Sequence, residues 1–185
     1  MKFLSLRFSK AGYVADSLVY VLWVVVSSWM LVQFGPRREW RDIALFIGGG
    51  LFGWTLLEYV LHRFVLHGLE PFRSMHAQHH ERPRALVGIP TIVSAALFAA
   101  LVFAPAAAMM EFCKGTALTL GVITGYLGYG WIHHAAHHWR PGTRWLKRRK
   151  QIHAMHHRAG DCHYGVTTSL WDWVFRTGLR AGSVS

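Results

Sequence analysis

Gly115 to Ile132 reads GTALTLGVITGYLGYGWI, and the next six residues, His133 to His138, read HHAAHH. An apolar run of this length is what a helix needs to cross a bilayer, and this one ends at once in four imidazoles. Three other apolar runs flank it. The first spans approximately residues 13–34. The second spans 43–61 and leads directly into HRFVLH, His62 to His67. The third, 86–110, is preceded by HAQHH, His76 to His80, and the 115–132 run is followed after a basic link by HAMHH, His153 to His157. If all four runs cross the membrane, every histidine group falls at the same end of the spans, so the imidazoles form a layer at one depth.

Composition agrees. Of 185 residues, 52% are hydrophobic and 16% charged, and the 9 Trp and 11 Phe belong mostly to the apolar runs. The formal charge of +11 therefore sits in the connections, where it suits a membrane face rich in anionic lipid. A nucleic-acid binder would carry such charge beside exposed aromatics on a polar face, so no nucleic-acid partner is expected. Cys113 and Cys162 form no CxxC pair and no zinc-finger spacing, which leaves neither a disulfide framework nor a thiolate metal site. Lys2, Arg7 and Lys10 before the first run resemble a signal peptide's basic end. The apolar stretch that follows is longer than a signal peptide's core, so it is expected to remain as an anchor.

The fold expected is all-α: an integral membrane four-helix bundle with a cytoplasmic histidine-rich di-metal cap, in a single membrane-embedded domain over 1–185. Sixteen of the 20 Lys and Arg lie on the histidine side of such a topology, while Arg37, Arg38, Arg41 and Lys114 lie on the other. That bias places the histidine side in the cytoplasm. Glycines at 48 to 50 and at 121, 125, 128 and 130 are expected where membrane helices pack closely.

Thirteen histidines are several times the usual share, and their spacing matters more than their number. Residues three and four apart share a helix face, so HAQHH and HAMHH are each expected to aim three imidazoles at one point, and HHAAHH to present two i, i+4 pairs. His62 and His67 are five apart; an ideal helix would not put them on one face, which suits a helix end that bends. Imidazole is a common ligand for iron, zinc and copper, and neutral rings crowd together without the repulsion carboxylates would suffer. Eight to ten such ligands exceed what one ion holds, so two metals are implied. If His133 and His137 point inward, His134 and His138 point away. Glu58, four residues before His62, is a candidate to hold a ligand's second N–H, as are Asp161 and Asp172.

The order HRFVLH, HAQHH, HHAAHH, HAMHH, closed by HYGVTTSLWDWVF from His163 to Phe175, resembles the fatty acid hydroxylase superfamily of membrane oxygenases, which includes sphingolipid fatty acid 2-hydroxylases and sterol desaturases. The resemblance covers about Glu58 to Phe175. Matched motif by motif, it implies ten metal ligands: His62, His67, His76, His79, His80, His133, His137, His153, His156 and His157. It implies two iron ions, dioxygen as co-substrate, and a membrane lipid acyl chain as the group hydroxylated. No cytochrome b5-like domain is appended, so a separate electron donor is expected, whether cytochrome b5-like, a ferredoxin or similar. The short chain suits a bacterial inner-membrane member. Zinc readily fills imidazole sites in purified protein, but redox-inert zinc cannot activate dioxygen. No role is implied for His163.

Desaturation of a lipid or sterol shares this metal centre and differs in how substrate is held, and carotenoid hydroxylases also use repeated histidine groups. A membrane metal-handling protein is the rival outside catalysis. Transport would place ionisable residues near the bilayer midplane, whereas Asp16 and Glu58 lie close to span ends and the apolar interiors lack histidine.

Overall fold

The computed structural model describes residues 6–7 and 9–178, which are nearly all helical. Lys2 and Arg180, counted in the charge bias, lie outside the described residues. Helix α1 (Lys10–Phe34) starts at Ser9, whose side chain accepts from Gly12 N at 3.0 Å, a cap that satisfies one of the first turn's free donors. It ends where Gly35 and Pro36 stop it. A single 3₁₀ turn (Arg37–Glu39) leads into α2 (Trp40–Val60), which continues as a π-helix over Leu61–Leu66. Then come α3 (Phe72–Glu81), α4 (Thr91–Phe98), a second π segment (Ala99–Phe103) and α5 (Ala104–Met109). Pro105 lies in the first turn of α5; a proline lacks the N–H for an α-helical bond and crowds the preceding turn, which accounts for the local widening. Helices α6 (Phe112–His138), α7 (Arg144–Ala159) and α8 (Leu170–Val174) follow among the described residues. The β structure among the described residues is a two-residue pairing of β1 (Leu6–Arg7) with β2 (Val87–Gly88).

Among the described residues, three helical stretches are long and apolar enough to cross a membrane: Lys10–Phe34, Arg37–Leu66 and Thr91–Met109. In the apolar window of the first only 17% of residues are buried, and Leu18, Leu22, Val25, Trp29 and Val32 form an exposed stripe along α1. Water would penalise that stripe, whereas lipid chains solvate it. The chain is an integral membrane protein. Helix α6 has 27 residues but dilutes its apolar side chains with five glycines, three threonines and four histidines, and it is not among those three.

The chain divides into two compact units. The first, residues 1–54 and 86–127, packs α1, the start of α2, α4, α5 and most of α6. Leu31, Ile43, Ala117 and Leu120 form its buried core. Gly50 and Gly121 face one another: a Cβ on Gly50 would strike Leu118 O, and one on Gly121 would strike Ile47 O. Tyr20 donates to or accepts from Ser94 Oγ at 2.6 Å and packs edge-on to Tyr126 with ring centres 4.8 Å apart. Lys114 bridges Glu39 at 3.3 Å and Glu111 at 3.0 Å. The second unit, residues 55–85 and 128–185, holds every histidine in the chain.

Candidate metal centre

In the second unit the histidines gather as two groups of five, His62, His67, His76, His80 and His156 in one and His79, His133, His137, His153 and His157 in the other. Within each group the ligand nitrogens all lie within 4.8 Å of one another. All ten sequence-predicted histidines are therefore brought together. His134 and His138 stack on each other, ring centres 4.3 Å apart, and belong to neither group, nor does His163.

The partition differs from the sequence expectation in one respect. HAQHH and HAMHH do not each converge on one point; each is split between the two groups. His76 and His80 of α3 enter the first group and His79 the second, while His153 and His157 of α7 enter the second and His156 the first. The reason is helix geometry: i and i+4 nearly eclipse, but i+3 and i+4 diverge by about 100°. Each HxxHH thus gives a pair to one group and a single ring to the other, which ties the groups to one another.

The pair from α2 is placed by the π-helix. His67 N bonds His62 O at 3.2 Å, an i→i+5 closure that widens the turn. The ring centres of His62 and His67 lie 5.2 Å apart, although an α-helix would separate them. On α6 the ordinary i, i+4 spacing suffices, with His133 and His137 4.8 Å apart.

The rings meet through their Nε2 atoms. His76 Nε2 lies 3.0 Å from His62 Nε2 and 3.1 Å from His80 Nε2, and His67 Nε2 lies 3.2 Å from His156 Nε2. In the other group, His153 Nε2 lies 2.8 Å from His137 Nε2 and 3.0 Å from His157 Nε2, and His133 Nε2 lies 3.1 Å from His79 Nε2. A neutral imidazole has one N–H. His62 Nδ1 donates to Tyr164 O at 2.5 Å and His156 Nδ1 to Cys162 O at 2.7 Å, so the Nε2 atoms of these two are bare lone pairs. Each of these lone pairs faces a neighbouring Nε2 about 3 Å away, the spacing of neighbouring ligands around an ion with metal–nitrogen distances of about 2.1 Å. The donor set fits a transition metal in each group.

The electrostatics favour the uncharged rings. Burial, with neighbouring imidazoles second, pushes His79 and His157 down to about 3. Burial does the same to His156, held at about 3 against the opposing Cys162 carbonyl, and brings His67 to about 4. His76 and His153 move in the same direction for the same reasons. At neutral pH these rings are unprotonated and able to bind a cation.

The loop at 160–169 was not legible as a site element. Its backbone carbonyls orient two rings, and two buried carboxylates hold the loop. Glu58 Oε1 accepts from Val166 N at 2.6 Å and Thr167 N at 2.9 Å, and Glu58 Oε2 from Thr167 Oγ1 at 2.6 Å. Asp172 Oδ1 accepts from Tyr164 N at 2.8 Å and Oδ2 from Gly165 N at 2.9 Å. Arg149, buried on α7, donates to Ser169 Oγ at 2.5 Å and sets a cation near both carboxylates. Glu58 and Asp172, candidates from sequence to support the ligand rings, grip the loop whose carbonyls orient His62 and His156. Asp161 is exposed and bonds no histidine among the described residues.

Ten histidines converging in two groups, in a chain with three helices fit to cross a membrane, define an integral membrane protein with a site that could hold metal ions. The family model described as Fatty acid hydroxylase matches residues 47–177, and the chain belongs to the fatty acid hydroxylase family. It is 32% identical over 180 residues to the dihydroceramide fatty acyl 2-hydroxylase FAH2 of Arabidopsis thaliana, covering 88% of this chain and 73% of that one. The fatty acid 2-hydroxylase of Mus musculus is 34% identical over 201 residues, covering 92% of this chain and 53% of its own. The fold is similar to that of full-length scs7p, of which only the hydroxylase domain is visible. That match has a TM-score of 0.79 and 24% identity, and covers 91% of this chain and 67% of the other.

Proposed function

We propose that this chain is a di-iron, dioxygen-dependent hydroxylase of a membrane lipid's acyl chain, with His62, His67, His76, His80 and His156 holding one iron and His79, His133, His137, His153 and His157 the other. The observation that carries this reading is the convergence of ten imidazoles in two groups, in a chain whose relatives are named for 2-hydroxylation of fatty acyl groups. Two bound irons supply the oxidising power that an unactivated C–H bond demands, which zinc lacks.

The chain's own residues do the rest. The carbonyls of Tyr164 and Cys162 fix the tautomers of His62 and His156, so both rings present Nε2 inward. Burial of His62, His153 and His156 excludes water from the centre of the cluster. Electrons come from a separate donor such as a cytochrome b5-like protein or a ferredoxin. The whole of 1–185 acts as one membrane-embedded domain, with α6 as the fourth span. The charge bias sets the histidines on the cytoplasmic face, which in a bacterium is the inner face of the inner membrane.

The test is lipid mass spectrometry of membranes from cells expressing the chain under isotopically labelled dioxygen. A lipid class gaining the mass of one labelled oxygen, and losing that gain with His79→Ala, supports the proposal. Loss of two hydrogens in place of that gain would assign desaturation instead.

A further inference from the structure

The two histidine groups have the same composition and nearly the same layout, yet their surroundings differ. In the first, two of five rings are tied by Nδ1 to backbone carbonyls of the 160–169 loop. In the second, no ring is tied to that loop among the described residues, and His153 Nδ1 is buried with no hydrogen-bond partner. A carbonyl on the far nitrogen orients a ring, fixes its tautomer and raises the basicity of the ligating nitrogen. A ring without one is held by packing alone.

The loop itself is over-determined. Five hydrogen bonds run from Tyr164, Gly165, Val166 and Thr167 into the carboxylates of Glu58 and Asp172. Both carboxylates are buried, 3% and 2% exposed. Thr177 Oγ1 adds a bond to Asp172 Oδ1 at 2.8 Å. Gly165 is fitted to this grip: a Cβ there would strike Thr168 O and come within 2.9 Å of Asp172 Oδ2. Burying two carboxylates is costly unless their oxygens are used, and here both carboxylates hold the same loop.

We propose that the two metal positions are unequal, that the first group (His62, His67, His76, His80, His156) is the tight position, and that Glu58 and Asp172 are its positioning residues. This rests on the reading that the ten histidines hold two metals. The carboxylates act on the metal through the loop: they aim Tyr164 O and Cys162 O, which aim His62 and His156. Among the described residues no ring of the second group is bonded to that loop, and this group is the labile position.

Zinc serves as the probe, because it fills imidazole sites without redox chemistry. The full chain in lipid nanodiscs is loaded with zinc, and release to an excess of chelator is followed in time. Two equal phases are expected, with rates at least about 10-fold apart, as the support of ligands by outer partners commonly contributes 10–100-fold in affinity. His67→Ala should remove the slow phase and His137→Ala the fast one. Asp172→Asn, which turns one acceptor into a donor facing the loop's N–H groups, and Gly165→Ala should each speed the slow phase by about 10–100-fold and leave the fast phase unchanged. Thr167→Val, which deletes a single hydroxyl bond, should do so by a smaller factor in the same phase.

A variant that merely loosened the fold would release both equivalents faster together. That outcome, or a single phase for both equivalents in the unmodified chain, would overturn the proposal. Uptake of fewer than two zinc ions by the unmodified chain would instead overturn the two-metal reading beneath it.

Discussion

At the scale of single residues, the contrast between His79, His156 and His134 is the sharpest consequence of the structure. His79 and His156 each cross from one HxxHH motif into the other motif's group, so replacing either by alanine removes a ligand and also a tie between the groups. Each such variant is expected to lose at least one of two metal equivalents, measured by elemental analysis of the purified protein, while still inserting in the membrane. His134 stacks on His138 outside both groups, and His134→Ala should keep its full metal content. Which ring of each motif points where was partly readable: helix spacing shows that the two i, i+4 pairs of HHAAHH cannot both point inward, and the family resemblance picks His133 and His137. The division of HAQHH and HAMHH was not, because spacing shows which residues share a face but not how many centres that face serves.

The same rings give a pH dependence. His79, His156 and His157 titrate near 3 in the folded chain against the usual 6.5. The unfolded chain therefore takes up protons that the folded one refuses, and folding stability is fullest above about 6.5 and falls as the pH drops from there toward 3. Unfolding midpoints of metal-free protein should decline steadily between about pH 7 and 4. Midpoints that rise on acidification would contradict the burial of neutral rings. The carbonyls of Cys162 and Tyr164 left no sequence signal, since any residue carries a carbonyl. The segment HYGVTTSLWDWVF entered only as part of the family resemblance, with no role for its backbone.

At the scale of elements, the glycines separate by function. The GGG run at 48 to 50 reads from sequence as one packing patch, yet Gly48 and Gly49 have open space around them and only Gly50 meets another helix. Its partner is Gly121, whose Cβ would strike Ile47 O. Gly121→Leu is expected to force α2 and α6 apart and to cost about 1–3 kcal/mol or more, read as a lower unfolding temperature in detergent. Gly48→Leu should be close to neutral in the same assay. Helix was legible over the four apolar runs, since runs of about 20 apolar residues admit little else in a bilayer. Two features were not: the break of the third run into α4, a π segment and α5, and the π-turn at Leu61–Leu66. The five-residue step from His62 to His67 announced the second, but only as a bend of unstated kind.

At the scale of the whole molecule, the proposed orientation rests on the bias of Lys and Arg. Gly142, in the exposed link before α7, offers a reporter. In a chain whose Cys113 and Cys162 are replaced by serine, Gly142→Cys should resist a membrane-impermeant thiol reagent in intact cells and react once the membrane is opened. Reaction in intact cells would place the histidines outside. The two native cysteines are free, in line with the absence of any pairing motif.

The central claim is that ten histidines make two metal positions, one in each group of five. The most direct measurement is anomalous X-ray diffraction at the iron edge from crystals of the iron-loaded chain. Two peaks are predicted, one among His62, His67, His76, His80 and His156 and the other among His79, His133, His137, His153 and His157. A single peak shared by both groups, or density away from the histidines, would contradict the account.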